Sequence, residues 1–187
     1  SGSGASYTLD LAPAMGTAGT YVLQLLASGA GINDSAGNSL LADALDSWTI
    51  DTTVPTADIV DVAPDPRNSA VGSVSITFSE AVSGVDLADF TLTRDGNFVS
   101  IPAGSLSGSG ASYTLDLSSV RVAAGTYVLQ LVPTGAGIND AAGNLLSANA
   151  LDSWTTDTTT PTADIVDVAP DPRNSAVGSV SITLSEA

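Results

Sequence analysis

The sequence predicts an all-β chain built from two-layer sandwiches, and three observations carry that expectation. A shift of 106 residues lays "SGSGASYTLDL" at Ser1 on the same letters at Ser107, and it aligns Tyr7 with Tyr113, Trp48 with Trp154 and Glu80 with Glu186 without a gap. Within one period, short segments alternate apolar and polar residues, as strands with one buried face must. Between those segments stand Gly, Pro, Asn and Asp, and no stretch carries the spacing of a convincing amphipathic helix. The two copies differ at sixteen of the 81 overlapping positions, so the repeat governs every finer reading.

A period of about 100 residues is the size of one independently folding domain. With boundaries at "DTTVPT" and "DTTTPT", residues 52–157 are expected to form one complete unit, 1–51 the C-terminal part of a preceding unit (strands E to G), and 158–187 the N-terminal part of a following one (strands A and B). Neither partial unit can close a sandwich by itself. The expectation is therefore a slice of a continuous array, its partial units completed from outside the chain.

The elements of the complete unit follow in order. "ADIVDV" from Ala57 is strand A, and "APDPRNS" after it holds two prolines that stiffen a loop and discourage edge pairing. "SVSITFS" puts Val74, Ile76 and Phe78 on one face and Ser73, Ser75, Thr77 and Ser79 on the other, as strand B. "VDLAD" suits one 3₁₀ turn. "DFTLT" is strand C with Phe90 and Leu92 inward, and "RDG" is a tight turn into "NFVSI", strand D. "SYTLDL" and "TYVLQL" are E and F, pointing Tyr113, Leu115, Leu117 and Tyr127, Leu129, Leu131 inward; "LDSWTT" closes as G, with Trp154 as packing rather than a sugar platform. Seven thin strands in one period define an immunoglobulin-like Greek-key β-sandwich, repeated as a tandem array.

Composition narrows function. The chain has no cysteine, histidine or lysine, and four arginines face eighteen aspartates and two glutamates, a formal charge of -16. Without cysteine there is no disulfide framework or thiolate metal site, and without histidine the usual general base is missing. So negative a surface argues against nucleic acid and anionic lipid, and no apolar run is long enough for a spanning helix. The natural partners of such a chain are oxygen-ligated cations.

In an up-and-down succession of strands, the B-C, D-E and F-G loops gather at the pole where the unit begins. Glu80, Asp86 and Asp89 then lie in or beside B-C, Asp140 lies in F-G, and the linker brings Asp51. Arg67, Arg94 and Arg121 go to the far pole. Three readings stay open. Asp51, Glu80, Asp86, Asp89 and Asp140 supply oxygen ligands to calcium at the interdomain joint; the arginine pole of one unit docks on the carboxylate pole of the next; or the charges form a solvated surface. Met15 stands in the first copy where the second has Arg121, which weakens the docking version. "GINDAAGN" is ordinary turn chemistry before it is a ligand loop, and the "NDS" at Asn33 carries little weight because the second copy has "NDA".

The phrases "SITFSEAVSGVDLADFTL", "AGTYVLQL", "GINDAAGN" and "DSWTTDTTTPT", in order and at a fixed period, resemble the bacterial Ig-like domains repeated in giant secreted adhesins and other surface-fibre proteins. The resemblance implies an extracellular, cell-surface place, a spacer or adhesive role and often bound calcium. No catalytic residues are expected: no nucleophile stands beside a base, and the acidic residues recur with the repeat. The expected function is a structural, non-catalytic stalk, extender or filament, with neighbouring units as partners. An adhesive module binding glycan or protein through its loops is one alternative, and a filament polymerised by strand donation between chains is another.

Overall fold

The computed structural model describes residues 2–12 and 16–186; Met15 lies outside the described residues. Thirteen described strands run in chain order: β1 (Gly2–Ser3), β2 (Ser6–Tyr7), β3 (Gly19–Leu25), β4 (Ala44–Ile50), β5 (Ala57–Ile59), β6 (Ser73–Val82), β7 (Phe90–Arg94), β8 (Asn97–Val99), β9 (Leu106–Asp116), β10 (Gly125–Leu131), β11 (Ala150–Thr156), β12 (Ala163–Ile165) and β13 (Ile182–Leu184). Residues 57–156 fold as two antiparallel sheets, β5-β6-β9 and β11-β10-β7-β8. Strands A, B and E thus face G, F, C and D, the Greek-key partition of an immunoglobulin-like sandwich.

The hydrophobic pattern explains why the sheets face each other. Along β6, Val74, Ile76, Phe78 and Val82 are buried while Ser73, Ser75, Thr77 and Ser79 are exposed, so one edge-to-edge alternation supplies half the core. Tyr113 and Leu115 of β9 continue that face. The opposite sheet answers with Phe90, Leu92, Tyr127, Leu129, Leu131 and Trp154, all buried in the same cluster. Tyr127 stacks on Trp154 with ring centroids 5.5 Å apart, and its hydroxyl donates to the Ala123 carbonyl at 3.1 Å, fastening the E-F loop to strand F.

The strand bounds differ from the sequence expectation where local chemistry intervenes. Strand A ends at Ile59 because the chain then crosses toward strand G: the Val62 N–H donates to buried Asp152, and the Arg67 N–H donates to the Thr155 carbonyl. Strand E starts early, at Leu106, because "SGSGAS" doubles back on itself, with Asp116 N–H donating to the Ser105 carbonyl. Gly108 makes that possible, since a Cβ there would lie 2.4 Å from the Ser112 carbonyl oxygen. The C-D turn uses Asp95 at φ 50° and Gly96 at φ 78° to join Arg94 and Asn97, the two-residue hairpin that matches strand twist. Residues Leu87–Asp89 form the expected 3₁₀ turn.

On either side of this unit, the same letters make the same local structure without a buried core among the described residues. β3 pairs β4 with Tyr21 opposite Trp48, just as β10 pairs β11 with Tyr127 opposite Trp154. β12 pairs β13 with Ile165 opposite Ile182, as Ile59 faces Ile76. Most of their apolar residues stay exposed, while Tyr21 and Trp48, stacked on each other, are half-buried.

Candidate functional site

The pole where the complete unit begins is built by three segments. Strand β6 delivers Glu80: even-numbered residues of this strand face inward, so alternation turns the carboxylate to the same side as Phe78 and Val82, at the strand's end, where it is half-buried. The pairing of β6 with β9 breaks register between Thr77 and Val82, which frees this stretch from the regular ladder. Just beyond, Ser83 and Asn139 exchange backbone hydrogen bonds of 2.8 and 3.1 Å, tying the B-C loop to the F-G loop. Gly84 lies so close to the Gly137 carbonyl that an added Cβ would sit 2.6 Å from its oxygen.

The F-G loop delivers Asp140 through turn chemistry. One Asp140 oxygen accepts from the N–H groups of Ala142 and Asn144, both at 2.8 Å, and the other accepts from the Asn144 side chain at 2.8 Å. The Asn144 side chain also donates to the Asp51 carbonyl at 3.2 Å, so the loop grips the linker. Asp51 in turn accepts from the Thr53 N–H at 2.9 Å. As a result, Asp51, Glu80 and Asp140 each place a carboxylate oxygen within 4.8 Å of the others, with Asp140 buried and the other two half-buried.

Electrostatics registers this crowding. Loss of hydration raises the Glu80 carboxyl above the usual carboxylate range, and the charges of Asp140 and then Asp51 raise it further. Asp140 moves the other way, lowered first by the Asn144 side chain and then by backbone N–H groups. One carboxylate is held charged by its turn, and its neighbour bears the repulsion. Three like charges at such range invite a shared cation.

Of the five carboxylates expected at this joint, Asp86 and Asp89 lie elsewhere in the B-C connection and do not join the cluster. They cap the 3₁₀ turn instead: Asp86 accepts from the Ala88 N–H at 2.7 Å, and Asp89 accepts from the Asp86 N–H at 2.8 Å. Asp89 is buried, and desolvation raises its pKa despite that bond. Asn144 is the residue that sequence reasoning missed; the signal was the four-residue spacing from Asp140, repeated in Asp34 and Asn38.

The arginines have work at the other pole. Arg67 donates from Nε to the Ser69 carbonyl at 2.8 Å and from Nη2 to the Ala70 carbonyl at 2.7 Å, bracing its own loop. Arg121 lines a cavity of about 20 Å³ with Tyr127 and Trp154, room for about one water. Trp154 is core; Trp48 packs on Tyr21, half-buried.

With that geometry in hand, comparison with known proteins adds the following. Residues 48–158 match the family described as bacterial Ig-like domain. No curated protein matches the chain. Among solved structures, the N-terminal part of the bacterial S-layer protein SbsC is similar at 17% identity and a TM-score of 0.35, over 60% of this chain and 26% of that one. The matched region therefore spans about a quarter of that solved N-terminal part.

Proposed function

The chain belongs to the bacterial Ig-like domain family, and from that premise we propose that it is a structural, non-catalytic segment of a long extracellular surface protein, a stalk or extender stiffened by calcium at its joints. In this reading residues 1–51, 52–157 and 158–187 are the end of one unit, a whole unit and the start of a third. The observation that supports it most is the convergence of Asp51, Glu80 and Asp140 from the linker, a strand end and a loop. A linker residue clustered with two residues of the following unit makes the joint itself the binding element.

The donor set fits a hard cation. Three carboxylates offer charge-dense oxygens, and a calcium ion takes about six to eight oxygens, the rest of which come from backbone carbonyls and water. Asp140 keeps lone pairs beyond those engaged by its turn. When bound, the ion supplies positive charge that relieves the repulsion on Glu80 and fixes the linker to the unit. Affinity belongs in the range of extracellular modules, about 10⁻⁴–10⁻³ M.

The experiment is a calcium titration of the 187-residue chain, followed by calorimetry, thermal unfolding and small-angle scattering. Calcium should raise the Tm and lengthen the maximum dimension, chelation should reverse both, and the double variant Asp51→Asn/Glu80→Gln should respond to neither. Unchanged binding in that variant, or no binding in the wild type, overturns the calcium joint and leaves the carboxylates a solvated surface.

A further inference from the structure

The complete unit grips the chain at both of its poles, and it does so at the same repeat position. Asp51 and Asp157 lie one period apart and open "DTTVPT" and "DTTTPT". On the entry side, the Asn144 side chain donates to the Asp51 carbonyl at 3.2 Å. On the exit side, the Asp157 N–H donates to the Arg67 carbonyl at 2.8 Å. That second contact is braced, because the Arg67 N–H donates to the Thr155 carbonyl at 3.0 Å and the Thr155 N–H donates to Asp65 at 2.8 Å. The Arg67 guanidinium ties the same loop to the Ser69 and Ala70 carbonyls.

We infer that the joint between successive units is a single-residue hinge: each linker aspartate is held through its N–H by the unit before it and through its C=O by the unit after it, with Asn144 as the positioning residue. The inference rests on the succession of units proposed above and not on calcium. A peptide group is planar, so fixing an N–H fixes the plane that precedes the residue, and fixing a C=O fixes the plane that follows. Only φ and ψ of one aspartate then stay free between two units. Beyond it the chain has little freedom left. The Thr53 N–H donates to Asp51 at 2.9 Å, as the Thr159 N–H does to Asp157 at 2.8 Å, so the same turn sets the direction taken after each aspartate. Pro55 is fully buried, the Thr56 N–H donates to the Ser79 hydroxyl, and the Ser79 N–H donates to the Thr56 carbonyl, both at 3.0 Å. A stretch whose Thr-rich composition would suit a loose tether is thus part of the unit that follows it.

The hinge constrains how an array of such units moves. Relative motion is the default between linked domains, and a flexible tether permits both swinging and stretching. A one-residue hinge permits bending about one point and leaves the spacing of the units unchanged. Asp51 also places its carboxylate beside those of Glu80 and Asp140, so the cation proposed above acts on the residue whose backbone is the hinge. Direct hydrogen bonds set the joint first, and the cation adds to them.

The test is amide nitrogen relaxation of the 187-residue chain in chelator. The Thr52 amide reports the plane held by Asn144, the Asp157 amide reports the plane held by Arg67, and both should give an order parameter of about 0.85, that of rigid backbone. Thr158 is the built-in comparison. It is the copy of Thr52, yet among the described residues nothing donates to the Asp157 carbonyl, so its order parameter should be clearly lower. Asn144→Ala keeps the backbone N–H groups that Asp140 accepts from and removes only the side-chain donor; Thr52 should fall to the Thr158 value while Asp157 stays rigid. Ala142→Gly loosens the same loop with the donor in place and should leave Thr52 rigid. A wild-type Thr52 as mobile as Thr158, a Thr52 that stays rigid in Asn144→Ala, equal loosening by Ala142→Gly, or a mobile Asp157 amide overturns the hinge. The calcium reading is tested apart from it: a failed titration leaves the Thr52 result as expected, and a calcium response with a mobile Thr52 in chelator overturns the hinge alone.

Discussion

The sharpest test of the packing argument uses one residue type in two copies of one sequence. Leu131 in β10 is 0% exposed and Leu25 in β3 is 49% exposed, although both end the segment "GTYVLQL" and both face Ala in the neighbouring strand. Truncating a fully buried leucine loses its transfer free energy and leaves a cavity, so Leu131→Ala should cost about 2–5 kcal/mol. Leu25→Ala forfeits only part of a transfer term and opens no cavity; its cost should stay below about 1 kcal/mol. At a urea dependence of about 1–3 kcal/mol/M, a loss of about 3 kcal/mol moves the unfolding midpoint by roughly 1–3 M. The assay is urea unfolding followed by Trp154 fluorescence in a Trp48→Phe background, where the signal comes from the complete unit. Equal shifts from the two substitutions, or a shift under about 1 kcal/mol for Leu131→Ala, would refute the claim that only the middle copy has a packed core.

Four further expectations concern the pole and its supports. Glu80 has a folded pKa raised above 4.5, so its contribution to stability is present below that value and is lost as pH rises through the raised value. In chelator, Tm should therefore rise as pH falls from 7 toward 4.5, and Glu80→Gln should raise Tm at pH 7 and flatten that slope; a Tm lowered at pH 7 by Glu80→Gln counts against the repulsion. Asp140 acts oppositely and at lower pH, its stabilisation fading only as pH falls below 3.8 through its lowered value. Gly84→Ala should cost about 1–3 kcal/mol, because φ +86° strains a side-chain residue and the Cβ meets the Gly137 oxygen; it should also weaken any calcium response by parting the two loops. Asp152→Ala should cost about 1–3 kcal/mol by orphaning the buried Val62 N–H, whereas Asp46→Ala, at the equivalent but exposed position, should cost almost nothing in thermal unfolding.

Much of the fold was legible because period-two alternation is a one-dimensional signal. Val74, Ile76 and Phe78 declare their face in the sequence, and the same parity carried two residues further aims Glu80 inward. The early start of strand E was not legible, since it depends on how "SGSGAS" folds over itself. Of the site, residue types and pole assignments brought Asp51, Glu80 and Asp140 to one end, but nothing in the spacing separated them from Asp86 and Asp89. A carboxylate near a short turn is drawn to the turn's free N–H groups, and that competition is settled by backbone geometry.

What the sequence determined by itself is whatever recurs in every copy. The Tyr-Trp strand pairing, the Asp-Asn turn at Asp34 and Asp140, and the tyrosine hydroxyl bond to Thr17 or Ala123 are the same with or without a core. Those interactions close between near neighbours or across one hairpin, so identical letters give identical results. The tertiary structure alone decided that Leu131 is buried while Leu25 is wet, and that Asp51, Glu80 and Asp140 meet across separations of 29 and 60 residues. Burial and charge crowding need a second sheet and distant loops in place, and only the complete unit brings those partners.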